Sequence, residues 1–349
     1  MHRSGKTVRK RTGRIIKNEP GRGDMINHTE LSDRMDQAIR EAKRLVITGH
    51  QNPDGDCLGS ILGLGRSLRL LGKEVDMVLD DCIPDHLAYI PGVEDIGRPD
   101  PEKSYDVFIM VDIGDLPRLG SSALLKERAP VSLCFDHHTT NGRINDFNLV
   151  LPESSSTCQL IAEFLIRHSY PFDKDLATCL YTGLITDSNR YLYKSSRQEA
   201  MRTGADLLDR GADADLVYLH EYQSLDRRLI AFQGHVVETA EYLQGGRIAL
   251  ANLRREVLDH FGLPMAEAES VVDILKNLKG VEVACIMKDM ETDLQKVSLR
   301  SKSYYNVARL AQSFGGGGHI QAAGCSLTAS NEQAYVLLKE ALEKIEWEK

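Results

Sequence analysis

Apolar residues in this chain come in short runs that stop abruptly at acidic or histidine-bearing loops. A helical pattern over 31–43 leads into the run Leu45-Val46-Ile47-Thr48, which gives way to the polar loop His50 to Ser60, HQNPDGDCLGS. The spacing of apolar positions over 57–71 predicts a helix, and Gly72 supplies the stop. Strands are expected at 74–79, at 106–111 (DVFIMV) and at 131–135. A nearly unbroken run such as DVFIMV marks a strand buried on both faces, as in a parallel sheet. Helices are expected at 156–168 and 176–185. Strands alternating with helices predict an α/β domain built on a doubly wound, mainly parallel sheet.

Between 195 and 243 the pattern turns helical with few strand signals, which reads as a connector. Strand signals return at 247–253, 281–287 and 296–299, with helices expected at 266–278, 307–314 and 332–345. The expected organisation is therefore a basic extension over 1–24, a first α/β domain over 25–210, a helical linker over 211–243, and a smaller α/β domain over 244–349.

Composition narrows the class. The 349 residues are 42% apolar and 27% charged, as in ordinary globular proteins of two domains. No apolar run approaches the roughly 20 residues that cross a bilayer. Seven cysteines with no C-x-x-C pair suggest reduced thiols and a cytoplasmic location. The net charge of −8 hides an asymmetry: residues 1–24 hold eight Lys or Arg and two acids, so the remainder stands near −14. The tail is polar, aperiodic and without an apolar signal core, and is expected to be disordered or to precede a true start at Met25.

Four points in the first domain carry candidate chemistry: His50/Asp54/Asp56, Asp112, Asp136/His137/His138, and Asp187. Three of them directly follow apolar strands, and the carboxyl ends of parallel strands are where open α/β sheets bind ligands. Singly, an Asp there is a turn former or a helix cap; four such points in sequence ask for a shared purpose. Carboxylates mixed with imidazole suit Mn(II), and Mg(II) less well, whereas structural zinc prefers thiolates. The donors outnumber the needs of one ion, but two ions about 3.5–4 Å apart, as in phosphoryl hydrolysis, would use them.

In the second domain, Gly315, Gly316, Gly317 and Gly318 remove side chains and let backbone N–H groups approach an anion. Arg300 and His319 can add charge-assisted hydrogen bonds to phosphate. Tyr304 and Tyr305 could stack on a base, with core packing the preferred use, and Ser298 and Asn306 are further candidate contacts.

The segments HQNPDGDCLGS, VDIGD, DHH and GLITDS resemble, in order and spacing, the four motifs of the DHH phosphoesterase family. The segment VSLRSKSYYNVARLAQSFGGGGHIQAAG (297–324) resembles the DHH-associated substrate-binding domain. The pair is most similar to the bacterial oligoribonuclease/pAp phosphatase branch. This resemblance implies His50, Asp54 and Asp112 as ligands of one Mn(II), and Asp56, Asp112, His137 and Asp187 as ligands of a second, with Asp112 bridging. It leaves Asp136 to orient a histidine, and His138 to contact phosphate or to act as an acid, a role that two nearby cations would oppose by depressing its pKa.

The expected activity is manganese-dependent hydrolysis of short single-stranded RNA oligomers to 5′-mononucleotides, with removal of the 3′-phosphate from 3′-phosphoadenosine 5′-phosphate (pAp). A cleft between the domains would favour short substrates, and the acidic body would repel long polyanions. A pApA or cyclic-di-AMP phosphodiesterase is the nearest alternative, and a non-catalytic nucleotide-binding regulator the alternative from another class. A RecJ-type exonuclease would want a basic channel, and a pyrophosphatase would lack GGGGH. No membrane partner is expected, and a homodimer is compatible with the sequence.

Overall fold

A computed structural model describes residues 28–192, 197–269, 271–291 and 293–347. The basic extension expected at 1–24 lies outside these residues. The chain forms two compact units that divide between Ser224 and Leu225.

The first unit holds strands β1 (Arg44–Thr48), β2 (Glu74–Val78), β3 (Ile96–Gly97), β4 (Val107–Val111), β5 (Val131–Asp136) and β6 (Phe147–Val150). All pair in parallel, in the order β3-β2-β1-β4-β5-β6. The helices are α1 (His28–Glu41), α2 (Gly55–Leu70), α3 (Ala123–Lys126), α4 (Thr157–Arg167), α5 (Lys174–Asp187), α6 (Arg197–Asp209) and α7 (Ala214–Tyr222). Alternate strand residues feed two cores. Leu45, Ile47, Ile109, Leu133 and Phe135 pack with α1, α2, α4 and α5. Val46, Phe108, Met110 and Cys134 pack on the other face with Leu119 and Leu125. Burial on both faces is why these strands read as continuous apolar runs, each such side chain contributing about 1.5–3 kcal/mol. The strand order reverses between β1 and β4, so the loops after those strands flank the switch point where doubly wound sheets bind ligands.

Helices α2 and α5 approach closely. A Cβ on Gly59 would lie 2.4 Å from the Cys179 carbonyl oxygen, and one on Gly183 would lie 2.7 Å from Asp56 Oδ1. The glycines are required by this contact, and the contact brings Asp56 and Asp187 together.

The second unit contains α8 (Arg227–Thr239), β7 (Glu241–Leu243), β8 (Ile248–Leu253), α9 (Arg255–Phe261), α10 (Val271–Asn277), β9 (Val283–Glu291), β10 (Leu294–Ser301), α11 (Val307–Ser313), β11 (Gly317–His319), β12 (Ala322–Thr328) and α12 (Asn331–Glu343). Its sheet runs β11-β12-β10-β9-β8-β7 and is antiparallel except for the β8/β9 pair. Helices α11 and α12 cover one face, and α8, α9 and α10 the other.

The helical stretch expected to link the domains, 211–243, is shared between the units: Val217 of α7 joins the first core and Phe232 of α8 the second. The single helix expected over 266–278 is a 3₁₀ turn, Met265–Glu269, followed by α10. Strand β12 was not anticipated, because its alternation rests on Ala323, Cys325 and Leu327 among small residues.

Candidate metal centre

The loops after β1, β4 and β5 and the end of α5 bring six predicted ligands into two groups. His50, Asp54 and Asp112 form one; Asp56, His137 and Asp187 form the other; within each group the ligand atoms lie within 4.8 Å of one another. Asp112 adjoins both, with Oδ2 3.4 Å from His50 Nε2 and Oδ1 3.7 Å from His137 Nε2. His137 Nε2 is also 3.3 Å from Asp187 Oδ2 and 3.9 Å from Asp56 Oδ2, and His50 Nε2 is 3.8 Å from Asp54 Oδ1.

Local structure fixes each side chain. Asp54 caps α2, accepting from the backbone N–H of Asp56 and Cys57. Asp56, in the first turn, is buried and accepts from the Thr157 and Cys158 N–H groups at 2.7 and 2.8 Å, at the N-terminus of α4. Asp112 follows β4 in a left-handed conformation (φ 58°) that costs a non-glycine residue about 1–2 kcal/mol. Thr157 Oγ1 donates to its Oδ1 at 3.0 Å. His137 Nδ1 lies 3.3 Å from the Ser154 carbonyl oxygen, a contact that leaves the Nε2 lone pair free.

Asp136, fully buried, accepts from His138 Nδ1 at 2.8 Å, from Asn141 Nδ2 at 2.6 Å and from the His137 and His138 N–H groups. It therefore orients His138, whose Nδ1 is also 3.7 Å from Asp112 Oδ1. The hydrogen bond to Asp136 raises the His138 pKa to about 9, beyond what burial takes away.

The charges of this cluster fit divalent cations. Burial first, and then the charges of Asp112 and Asp187, push the Asp56 carboxyl well above the usual range; burial and Asp112 do the same to Asp187. Burial would raise Asp112 as well, but the hydrogen bond to His50 and the charges of His137 and His50 hold it down to about 2. Burial lowers the His50 pKa, and the hydrogen bond and charge of Asp112 more than reverse this. Carboxyls driven toward protonation by their neighbours lack positive charge, and six oxygen and imidazole donors are what Mn(II) or Mg(II) would use.

In the second unit a cavity of about 630 Å³ is lined by Arg300 and by Gly315, Gly316, Gly317 and Gly318, together with Glu269, Lys296 and Ser298. A Cβ on Gly316 would lie 2.2 Å from the Gly324 carbonyl oxygen, so the run must be glycine there. His319 follows on β11, exposed and outside this lining. Tyr305 packs on Trp347 in the core, while Tyr304 is exposed; Asn306 caps α11. Ser298 donates to Glu269, which also pairs with Lys288.

Sequence reasoning missed Arg118, Asn141, Ser154, Thr157, Glu269, Lys288 and Lys296. The Ser/Thr run 154–157 before an apolar helix was legible as a cap, though not as a ligand support.

Comparison with known proteins agrees with this architecture. The family model "DHH family, N-terminal domain" matches residues 44–184, and the "DHHA1 domain" model matches 245–346. A bifunctional oligoribonuclease and PAP phosphatase NrnA of Thermus thermophilus is 28% identical over 85% of this chain and 89% of that protein. A probable NrnA of Streptococcus mutans is 26% identical over 87% and 96%. The cyclic-di-AMP phosphodiesterase PdeA of Listeria monocytogenes is 23% identical over 85% of this chain and 47% of its own length. Among solved structures, an exopolyphosphatase-related protein from Bacteroides fragilis superposes with a TM-score of 0.83 at 29% identity, over 90% of this chain and 96% of that one.

Proposed function

We propose that this chain, which belongs to the DHH family and carries a DHHA1 domain behind its DHH domain, is a two-metal phosphoesterase. Its substrates are short oligoribonucleotides, cleaved to 5′-mononucleotides, and pAp, which loses its 3′-phosphate. The observation that carries this reading is the pair of ligand groups on either side of Asp112, His50/Asp54 and Asp56/His137/Asp187. Relatives named as oligoribonuclease and PAP phosphatase over most of the chain support the substrate class.

His50, Asp54 and Asp112 would hold one Mn(II), and Asp56, Asp112, His137 and Asp187 the other. Such a pair of ions activates water and offsets the charge of the phosphate. The protein's own groups do the rest. Asp136 fixes the His138 ring through Nδ1, which leaves Nε2 to hydrogen-bond a phosphate oxygen. The Arg300 guanidinium and the glycine run offer donors to a further anionic or ribose group of the substrate in the second unit. The acidic composition disfavours long polyanions, in keeping with a cytoplasmic enzyme for short ones.

A Mn(II)-dependent hydrolysis panel of pAp, short RNA, long RNA, pApA, cyclic di-AMP and pyrophosphate tests this. Turnover of pAp and short RNA with little on the others is expected. Preference for pApA or cyclic di-AMP would favour the reading that the PdeA relative suggests. No hydrolysis with any divalent ion would leave a nucleotide-binding regulator.

A further inference from the structure

Arg118 lies on the 3₁₀ turn Leu116–Ser122, in the loop that begins with Asp112. Its Nη2 is 2.7 Å from His50 Nδ1 and 3.1 Å from the Gln51 carbonyl oxygen. The two main chains are also tied, because Gln51 N donates to the Arg118 carbonyl oxygen at 2.7 Å. His50 Nδ1 itself sits 2.9 Å from the Gln51 carbonyl oxygen.

These contacts compete for one proton. A guanidinium has only donors and stays charged. Its contact with Nδ1 therefore needs the lone pair there. The ring proton is then on Nε2, pointing toward Asp112 Oδ2 at 3.4 Å. That tautomer cannot ligate a cation through Nε2, the atom that faces Asp54 and Asp112. In the other tautomer Nδ1–H donates to Gln51, and the Nε2 lone pair faces the carboxylates. Two donors would then stand 2.7 Å apart, and Arg118 has to withdraw. His137 meets no such conflict at its Nδ1, which faces the Ser154 carbonyl oxygen.

We propose that Arg118 is a positioning residue that competes with the cation for His50. It holds the imidazole in the tautomer that closes the His50/Asp54/Asp112 group, and it withdraws when His50 becomes a ligand. Its guanidinium is thereby freed beside the centre to take a phosphoryl oxygen. The two ion positions consequently differ in affinity, with the His50 position the weaker. The inference rests on the metal reading given above.

The test uses the full chain. Side-chain ¹⁵N spectra of metal-free, histidine-labelled protein, with the His50 resonances assigned by His50→Gln, report the tautomer directly. Wild type should show His50 protonated at Nε2; Arg118→Met, which keeps the aliphatic stem without donors, should show it protonated at Nδ1. In a Mn(II) titration against a chromophoric chelator, the weaker of two binding classes should tighten roughly three- to tenfold in Arg118→Met, the effect of removing one hydrogen bond. Arg118→Lys retains the charge with a shorter reach and should shift in the same direction. The KM for pAp should rise in Arg118→Met. A wild-type His50 already protonated at Nδ1 overturns the proposal. So does a weaker class that fails to tighten, or that tightens in the Met variant alone, which would be a plain charge effect. An unchanged KM overturns the phosphate role. Two normal Mn(II) classes unaffected by Arg118 would sink only this inference, whereas a wild type that binds no Mn(II) would sink the metal reading beneath it.

Discussion

Asp187→Asn should stabilise the metal-free protein and remove most of the stabilisation that Mn(II) gives. Asp187 and Asp56 belong to one group whose ligand atoms lie within 4.8 Å. Two unit charges at that separation repel by about 3.5 kcal/mol at an effective dielectric of about 20. The Asp187 side chain is 33% exposed, so solvent reduces this to roughly 1–2 kcal/mol. Asp187 also ends α5, where the helix dipole disfavours a carboxylate by a few tenths of a kcal/mol. Against this stands the contact with His137 Nε2 at 3.3 Å, about 1 kcal/mol when, without metal, that nitrogen also carries a proton. The balance is a gain of roughly 1 kcal/mol, or about 2–4 °C in Tm for a unit of this size.

With metal the order should reverse. An ion that binds only the folded state at a hundred times its Kd adds about 2.7 kcal/mol. Wild type should therefore gain several degrees, and the variant, lacking one carboxylate ligand, little. The assay is thermal unfolding in EDTA and in Mn(II), repeated across pH. The Asp187 carboxyl is raised in the folded state, so its stabilising contribution is complete below the unfolded value of about 3.9 and is lost as pH rises through the folded one. Metal-free wild type should accordingly lose stability as pH rises through that raised value, and the variant should lose less. A variant that melts below wild type in EDTA, or that gains as much from Mn(II), would refute the reasoning.

Asp112→Ala should abolish nearly all turnover on every substrate, because Asp112 belongs to one ligand group and adjoins the other, and both proposed ion sites would share it; substantial Mn(II)-dependent activity would contradict the shared-carboxylate reading. Gly59→Ala places a Cβ 2.4 Å from the Cys179 carbonyl oxygen and should cost about 1–3 kcal/mol or more in chemical denaturation. Since α2 carries Asp56 and α5 carries Asp187, its Mn(II) affinity should fall as well, and a native-like melt with native metal binding would contradict the packing argument. Arg300→Ala and His319→Ala should raise KM while Mn(II) titration stays unchanged; loss of metal would contradict their place in the second unit.

The candidate ligands were legible where the chemistry is written locally. Asp112 follows the run DVFIMV, Asp136 ends β5 with His137 and His138 directly after it, and His50 to Asp54 fill the turn between β1 and α2, with Asp56 in the first turn of α2. A strand buried on both faces announces itself, and so does the polar residue that stops it. Asp187 was less plain, since a helix end carries an Asp for many reasons, and only its place in a four-part order singled it out. Groups whose roles depend on pairing across the fold stayed hidden. Arg118 stands in a polar loop, and nothing nearby in sequence predicts that its guanidinium lies on His50, 68 positions away. Glu269, Lys288 and Lys296 come from a 3₁₀ turn and two strands, and only folding makes them one ionic cluster on the glycine cavity. Strand β12 escaped because alternation among Ala, Gly, Cys and Ser is faint.

The hidden supports share an origin. Asp56 is held by the N–H groups of Thr157 and Cys158, Asp112 by Thr157 Oγ1, and His137 by the Ser154 carbonyl oxygen. Three residues at or just before the start of α4 thus hold candidate ligands contributed by α2 and by the loops after β4 and β5, although none of the three is itself a predicted ligand. The reason is geometric. A helix N-terminus carries unpaired N–H groups and a positive dipole end, and can oppose buried carboxylates without adding a side-chain cation. Burial still drives Asp56 upward despite those bonds, so the helix end compensates only part of the charge. The arrangement therefore holds the carboxylates in place without neutralising them, so the net negative charge that the proposed divalent ions would complete is built into the fold.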